Sequence, residues 1–219
     1  MDESNEARRA FEAAQRDLAD ATRRLIGEVR VTRAPLAELD SARRALEQAI
    51  GLLEPHRHEG NHAQADLLGG LGRFGEAHDP MEYFPYSPVI GRGNPIALPV
   101  VFEVRDGVVH GRATFTPPFC GPPNHVHGGV VALVFDELLG TVNVANGLGA
   151  MTGTLTIRYR RPTPLHQEVR MEGRSTGVEG RKVFASGSMW HGDVLLAEAE
   201  GIFIQVAAGM RDMLRIAGD

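Results

Sequence analysis

The sequence predicts an α+β fold in which an antiparallel sheet wraps round one central helix, preceded by a helical hairpin at the N-terminus. Three observations predict it. Residues 1–54 carry apolar side chains at helical spacing, and residues 128–144 are apolar almost all round. The rest of 98–206 alternates apolar and polar residues between turn signals. Two strands, one buried helix and four strands follow in that order. Such a sheet has exposed edges that would readily pair with a second copy.

In residues 1–54 the periodic positions are Phe11, Leu18, Leu25 and Val29, then Leu36, Leu39, Leu46, Ile50 and Leu53. Pro35 divides the run into two helices, since it biases the residue before it away from helix and itself suits a first turn; Thr32 is a cap near the break. Residues 55–97 collect Gly, Pro and four of the nine histidines, which predicts a loop or lid. Gly70–Gly75 spells GxGxxG, but no strand precedes it, so a glycine loop is expected and not a phosphate cradle. His56, His58 and His62 lack a carboxylate or cysteine array and read as solvent-facing.

From 98 to 207 the elements are short. Leu98–Arg105 and Val108–Phe115 flank Asp106-Gly107, a strong hairpin signal. The proline-rich stretch 117–124 cannot be helix, and the apolar run from Gly128 to about Val144 is the central helix. Thr154–Arg160, Val169–Arg174, Arg181–Trp190 and Val194–Val206 alternate as strands. Turns are expected at Pro162–Pro164, Gly177–Gly180 and Gly192-Asp193. Residues 208–219 form a C-terminal tail.

Composition excludes several classes of function. Apolar residues make up 42% and charged residues 23%, an ordinary globular mix, and the net charge of -5 gives no overall attraction to nucleic acid or an anionic membrane. Residues 1–54 hold nine arginines against eleven acidic residues, which weighs against a DNA-binding arm. No apolar stretch approaches the roughly 20 residues needed to span a bilayer. The lone Cys120 and the polar, acidic start lead us to expect a cytoplasmic protein without disulfides.

The stretch from Asn124 to Asp136, NHVHGGVVALVFD, carries the chemistry. Gly128 and Gly129 at the mouth of a buried helix leave its first amides uncovered by side chains. Free N–H groups and the helix dipole suit an oxygen gaining negative charge, such as a thioester carbonyl. Tight helix packing would account for the same glycines. Asp136, two turns in, is a catalytic base or nucleophile, the structural partner of Arg158, Arg160 or another cation, or part of a solvated strip with Glu137. Gly128 and Asp136 are eight residues apart, about 12 Å along a helix. If both act on one carbon, the second must come from another subunit whose helix runs antiparallel, and the site is a dimer interface.

Thr152, Thr154, Thr156, Arg158 and Arg160 share parity and hence one expected face, suited to water and phosphates or simply to solvent. Lys182 is the only lysine and adjoins Arg181 after Gly180; the pair is fit for phosphate contact or is a plain hairpin end. No GxSxG elbow is present, and Cys120 shows no sign of activation. His125 and His127 form a two-ligand pair, but glycines follow where further ligands would be sought, so no metal is assigned.

In order and spacing these residues resemble the hotdog-fold acyl-CoA thioesterases of the PaaI and THEM4-like group, over roughly 98–206. The resemblance rests on His127-Gly-Gly129, Asp136 nine residues on, Met151-Thr152 sixteen after that, Arg158-Tyr-Arg-Arg-Pro-Thr-Pro164 and Val178-Glu-Gly-Arg-Lys182. It implies a hotdog fold and hydrolysis of acyl-CoA to free acid and CoA by a homodimer or dimer of dimers. CoA is part of the substrate, and no separate cofactor is implied. Residue by residue, it implies that Asp136 attacks the thioester or activates water. The Gly128 amide would polarise the carbonyl across the dimer, Thr152 would assist at the water or carboxylate, and His127 would shape the loop. Asn124 and Gly129 would border the substrate, and Arg158, Arg160, Arg181 and Lys182 fall where the group contacts CoA phosphates. Arg158 replaces what is often a smaller polar residue. Two other readings stand beside this one: a non-catalytic acyl-CoA sensor or scaffold whose hairpin engages a protein partner, and a hotdog dehydratase in which a histidine and an acid converge on the α-carbon.

Overall fold

The computed structural model describes residues 3–60, 62, 64 and 79–205. The GxGxxG segment and the tail 208–219 lie outside the described residues.

Helix α1 spans Glu3–Val31 and α2 spans Leu36–Leu53, divided where the proline predicts. Pro35, not Thr32, occupies the cap position of α2; the Thr32 hydroxyl accepts from the Ala34 amide at 3.1 Å and so shapes the linker. Helix α1 lies on the chain that follows α2. The Arg23 guanidinium donates to the carbonyls of Arg92 and Asn94, and the Tyr86 hydroxyl donates to Gln15 at 2.8 Å. Helix α2 buries none of its residues.

Of the loop expected over 55–97, the described residues 79–97 run, with Leu98, as a strap. Val89, Ile90, Ala97 and Leu98 are buried in the core, so this stretch lies between α1 and the sheet domain. Beyond it come β1 (Val100–Arg105) and β2 (Val108–Thr114), then α3 (Gly128–Ala145), then β3 (Ala150–Tyr159), β4 (Glu168–Glu179), β5 (Lys182–His191) and β6 (Val194–Gln205). The β1–β2 turn has positive φ at both Asp106 (51°) and Gly107 (75°), the mirror-image turn that matches strand twist. At the far end of β4 the expected Gly177–Gly180 turn is shorter. The register slips between Ser175 and Gly177, and the strand continues to Glu179, because a bulge absorbs the glycine without ending the pairing.

All six strands are antiparallel, in the order β1-β2-β4-β5-β6-β3, with α3 packed in the concave face. This is the expected hotdog arrangement. It places β3, the strand that follows α3, at an open edge. Phe135, Leu138, Leu139 and Val142 of α3 are fully buried against Val109, Val169, Met171, Val183 and Phe203. The helix is apolar enough to pass for a membrane span by composition, and the sheet accounts for that apolarity.

Two paired glycines set how closely the helix approaches. A Cβ on Gly173 would stand 3.0 Å from Leu138 and Val142, and one on its cross-strand partner Gly187 would stand 3.1 Å from Leu138. Overpacking at such a contact costs about 1–3 kcal/mol. We therefore expect Gly187→Val to lower the free energy of unfolding by roughly that amount in urea titrations. Gly147→Ala, where nothing lies within 4 Å of the added carbon, serves as a comparison for strain from positive φ (72°) alone.

Candidate active site

The helix mouth is built by a short crossing of backbone. The His127 amide donates to the Phe119 carbonyl at 2.9 Å, and Val126 donates to Thr163 at 2.8 Å. Asn124 takes the left-handed conformation (φ 61°), and its carbonyl accepts from Leu165. Asn124 thus shapes the turn that delivers His127. The His127 ring caps α3, with Nδ1 accepting from the Gly129 amide at 3.0 Å, so the ring proton resides on Nε2.

Of the first four amides of α3, Gly129 is therefore engaged by the ring, and Val130 and Val131 donate back to the His127 carbonyl. Among the described residues the Gly128 amide has no partner, and it is left to donate to a ligand oxygen. Packing does not demand glycine there: a Cβ on Gly128 would touch only the Tyr159 ring, at an ordinary 3.7 Å. Tyr159 was not singled out by sequence. Its hydroxyl donates to the Gly128 carbonyl at 2.9 Å and ties the helix mouth to the end of β3.

Asp136 lies half-exposed in the middle of α3 and accepts from the Thr152 hydroxyl at 2.9 Å. Strand β3 runs antiparallel to α3, so its start meets Asp136 and its end meets Gly128. Gly128 and Asp136 remain at different points of one helix, as the spacing requires.

The shared face expected for Thr152 through Arg160 is not formed. A β-bulge between Thr152 and Thr154 shifts the strand by one residue. Thr152 thereby joins Leu155, Ile157 and Tyr159 on the helix side, while Thr154, Thr156 and Arg158 turn outward, because side-chain period is two and one extra residue inverts it. Arg158 and Arg160 are ion-paired with Glu200 at 2.9 Å and Glu198 at 2.8 Å on β6, near the Gly128 end. Neither pairs with Asp136. Arg181 and Lys182 occupy the β4–β5 turn near the Asp136 end, with the Arg181 guanidinium donating to the Gln205 carbonyl at 3.2 Å. A second copy's orientation would decide whether the two basic groups meet.

The structure separates Asp136 from its sequence neighbour. One residue of helix turns the side chain by about 100°, and Glu137 points under the strap, where Ser87 Oγ donates to it at 2.8 Å. Ser87 is fully buried, and its oxygen accepts from the amides of Val89 and Ile90, which leaves its proton for the carboxylate. Desolvation by burial pushes the Glu137 pKa up to about 7, aided by the nearby charge of Asp136 and opposed by the Ser87 hydrogen bond. A solvated strip shared by Asp136 and Glu137 was one of the alternatives the sequence left open, and it is not formed; no local signal marks a contact with a residue fifty positions away.

Comparisons with known proteins identify the family. A model of the thioesterase superfamily matches residues 123–198, from the helix mouth into β6. A crystal structure described as a thioesterase superfamily protein is 34% identical, covers 87% of this chain and 90% of that one, and superposes with a TM-score of 0.74. The chain belongs to the thioesterase superfamily. Over 88 residues it is 38% identical to mouse acyl-coenzyme A thioesterase THEM4, covering 39% of this chain and 38% of that protein. The Xenopus laevis protein of the same name is 39% identical over 88 residues, covering 39% of this chain and 40% of that protein. The matched region thus spans about two-fifths of the length of these curated relatives.

A carboxyl group whose folded pKa lies above its ordinary 4.5 keeps a proton that the unfolded chain gives up. Its burial then costs stability progressively as pH rises from about 4.5 to about 7, and by a constant amount above. Glu137→Gln removes that cost. We expect the variant to match wild type near pH 4.5 and to exceed it by on the order of 3 kcal/mol at pH 8, read from denaturant midpoints at the two pH values.

Proposed function

We propose that the protein is an acyl-CoA thioesterase whose active site is shared by two copies with antiparallel α3 helices. The observation that carries the reading is the pairing of an available Gly128 amide at one end of α3 with a Thr152-bound Asp136 two turns further on. Asp136 lies along a stripe of α3, with Gly129, Leu133 and Gly140, that this chain leaves partly exposed beside the open β3 edge, and Gly128 stands at the N-terminal end of that stripe. A Cβ on Gly140 would meet nothing within 4 Å, so the stripe has room for a second helix.

In this scheme the thioester oxygen accepts from the Gly128 amide of one copy. Asp136 of the other either attacks the carbonyl carbon or takes a proton from the attacking water, and Thr152 holds that carboxylate in place. On the first route the carbon–sulfur bond breaks as an acyl–Asp136 anhydride forms, and water then hydrolyses that anhydride to the free acid; on the second, water adds directly and the carbon–sulfur bond breaks to leave the free acid. On either route the CoA thiolate takes up the proton that the water gives up. An antiparallel pairing also brings the Arg158 and Arg160 end of one copy towards the Arg181 and Lys182 end of the other, a basic surround suited to CoA phosphates. Surface ion pairs such as Arg158–Glu200 are weak, so a phosphate can replace the carboxylate. No cofactor beyond the CoA of the substrate is needed. The commitment of His127 to capping α3 disfavours the dehydratase alternative. The single half-buried thiol of Cys120 and the balanced charge suit a cytoplasmic enzyme without nucleic-acid or membrane partners.

CoA release from a panel of acyl-CoAs tests the reading. Asp136→Asn should lower kcat by roughly 10²–10³-fold. Gly128→Pro should do the same by deleting one N–H, and the fold should tolerate it, because proline suits the first helical position and His127 (φ -63°, ψ 134°) already has the extended conformation that precedes proline. Undiminished release by both variants would remove this helix from the chemistry. Saturable CoA-ester binding by wild type without release would instead identify a sensor.

Mixing the two inactive variants tests the sharing. Mixed dimers contain one site with both groups intact, so reassociation of equal amounts should restore about a quarter of wild-type activity. A site confined to one chain would stay inactive in the mixture.

A further inference from the structure

Helix α2 presents a row of large apolar residues to solvent. Leu36 is 82% exposed, Leu39 44%, Leu46 36%, Ile50 54% and Leu53 52%. With Arg43 these positions step by 3, 4, 3, 4 and 3 residues, the seam of a two-stranded coiled coil. One edge of the seam carries Asp40 and Glu47, and the other carries Ala42 and Ala49.

The charges choose the occupant and its direction. In a parallel pair Arg43 would stack on Arg43 of the second copy, and each acidic edge would face alanines. In an antiparallel pair every seam residue finds an apolar or complementary counterpart: Leu36 opposite Leu53, Leu39 opposite Ile50, Arg43 opposite Leu46. The two acidic edges then meet around both Arg43 side chains. Arg43 already bonds Asp40 and Glu47, and Arg44 bonds Asp40, so that side is neutral overall, while the alanine edges allow close approach. We propose that α2 is an oligomerisation arm that pairs antiparallel with α2 of a second copy of this chain. This contact is separate from the α3 and β3 surface and does not depend on the thioesterase reading.

The test uses the full chain in a Cys120→Ser background. Oxidation of the Leu39→Cys/Ile50→Cys double variant should give an interchain disulfide. Leu39→Cys alone should give none, because antiparallel helices hold two such residues about 16 Å apart, far beyond the roughly 7 Å limit for a disulfide. Sedimentation should show that Leu39→Asp/Ile50→Asp halves the assembly mass while circular dichroism is unchanged, since no residue of α2 is buried among the described residues. A cross-link from Leu39→Cys alone, or an unchanged mass together with no cross-link in the double variant, would overturn the proposal.

Discussion

The structure depends on how one helix that is apolar on nearly every side is covered. A sheet can shelter only part of a cylinder, and here five of the six strands curve round α3 and bury Phe135, Leu138, Leu139 and Val142. Gly173 and Gly187 let that contact close to van der Waals distance. The strap then covers a second side through Val89 and Ile90. What neither covers is a narrow stripe beside the β3 edge, and that stripe holds Gly129, Leu133, Asp136 and Gly140. The chemically useful part of the helix is thus the part its own chain cannot bury.

The same division separates two adjacent carboxylates. Asp136 faces the open side and meets a threonine hydroxyl on an exposed strand. Glu137 faces the strap, where burial outweighs its one hydrogen bond and holds its proton to near neutral pH. Two acids of similar chemistry meet different surroundings through a turn of about 100°. The strap also links the N-terminal helix to this site, since α1 holds it at Asn94, Arg92 and Tyr86 while Ser87 holds Glu137.

Much of the fold was legible because its signals are local. The Asp106-Gly107 turn, the apolar run after Gly128 and the alternating strands each follow from short-range periodicity, and each element formed close to its expected place. The glycines of the helix mouth were legible too, but not the His127 cap, which covers the Gly129 amide that the sequence left bare. Parity failed on β3, where counting in twos put Thr152 with the arginines. The bulge at Gly153 depends on pairing with β6, and pairing partners are distant in sequence. The Tyr159 and Ser87 contacts were missed for the same reason.

Residue order by itself determined which segments are helix and strand, that an acid and a glycine-lined helix mouth lie on one helix about 12 Å apart, and that the chain resembles thioesterases. Periodicity and spacing along a chain suffice for those. Tertiary structure decided which face each residue occupies after a bulge, which carboxylate is desolvated, and which part of α3 stays open. These are properties of surfaces brought together from opposite ends of the chain, and no local pattern of side chains encodes what will cover them.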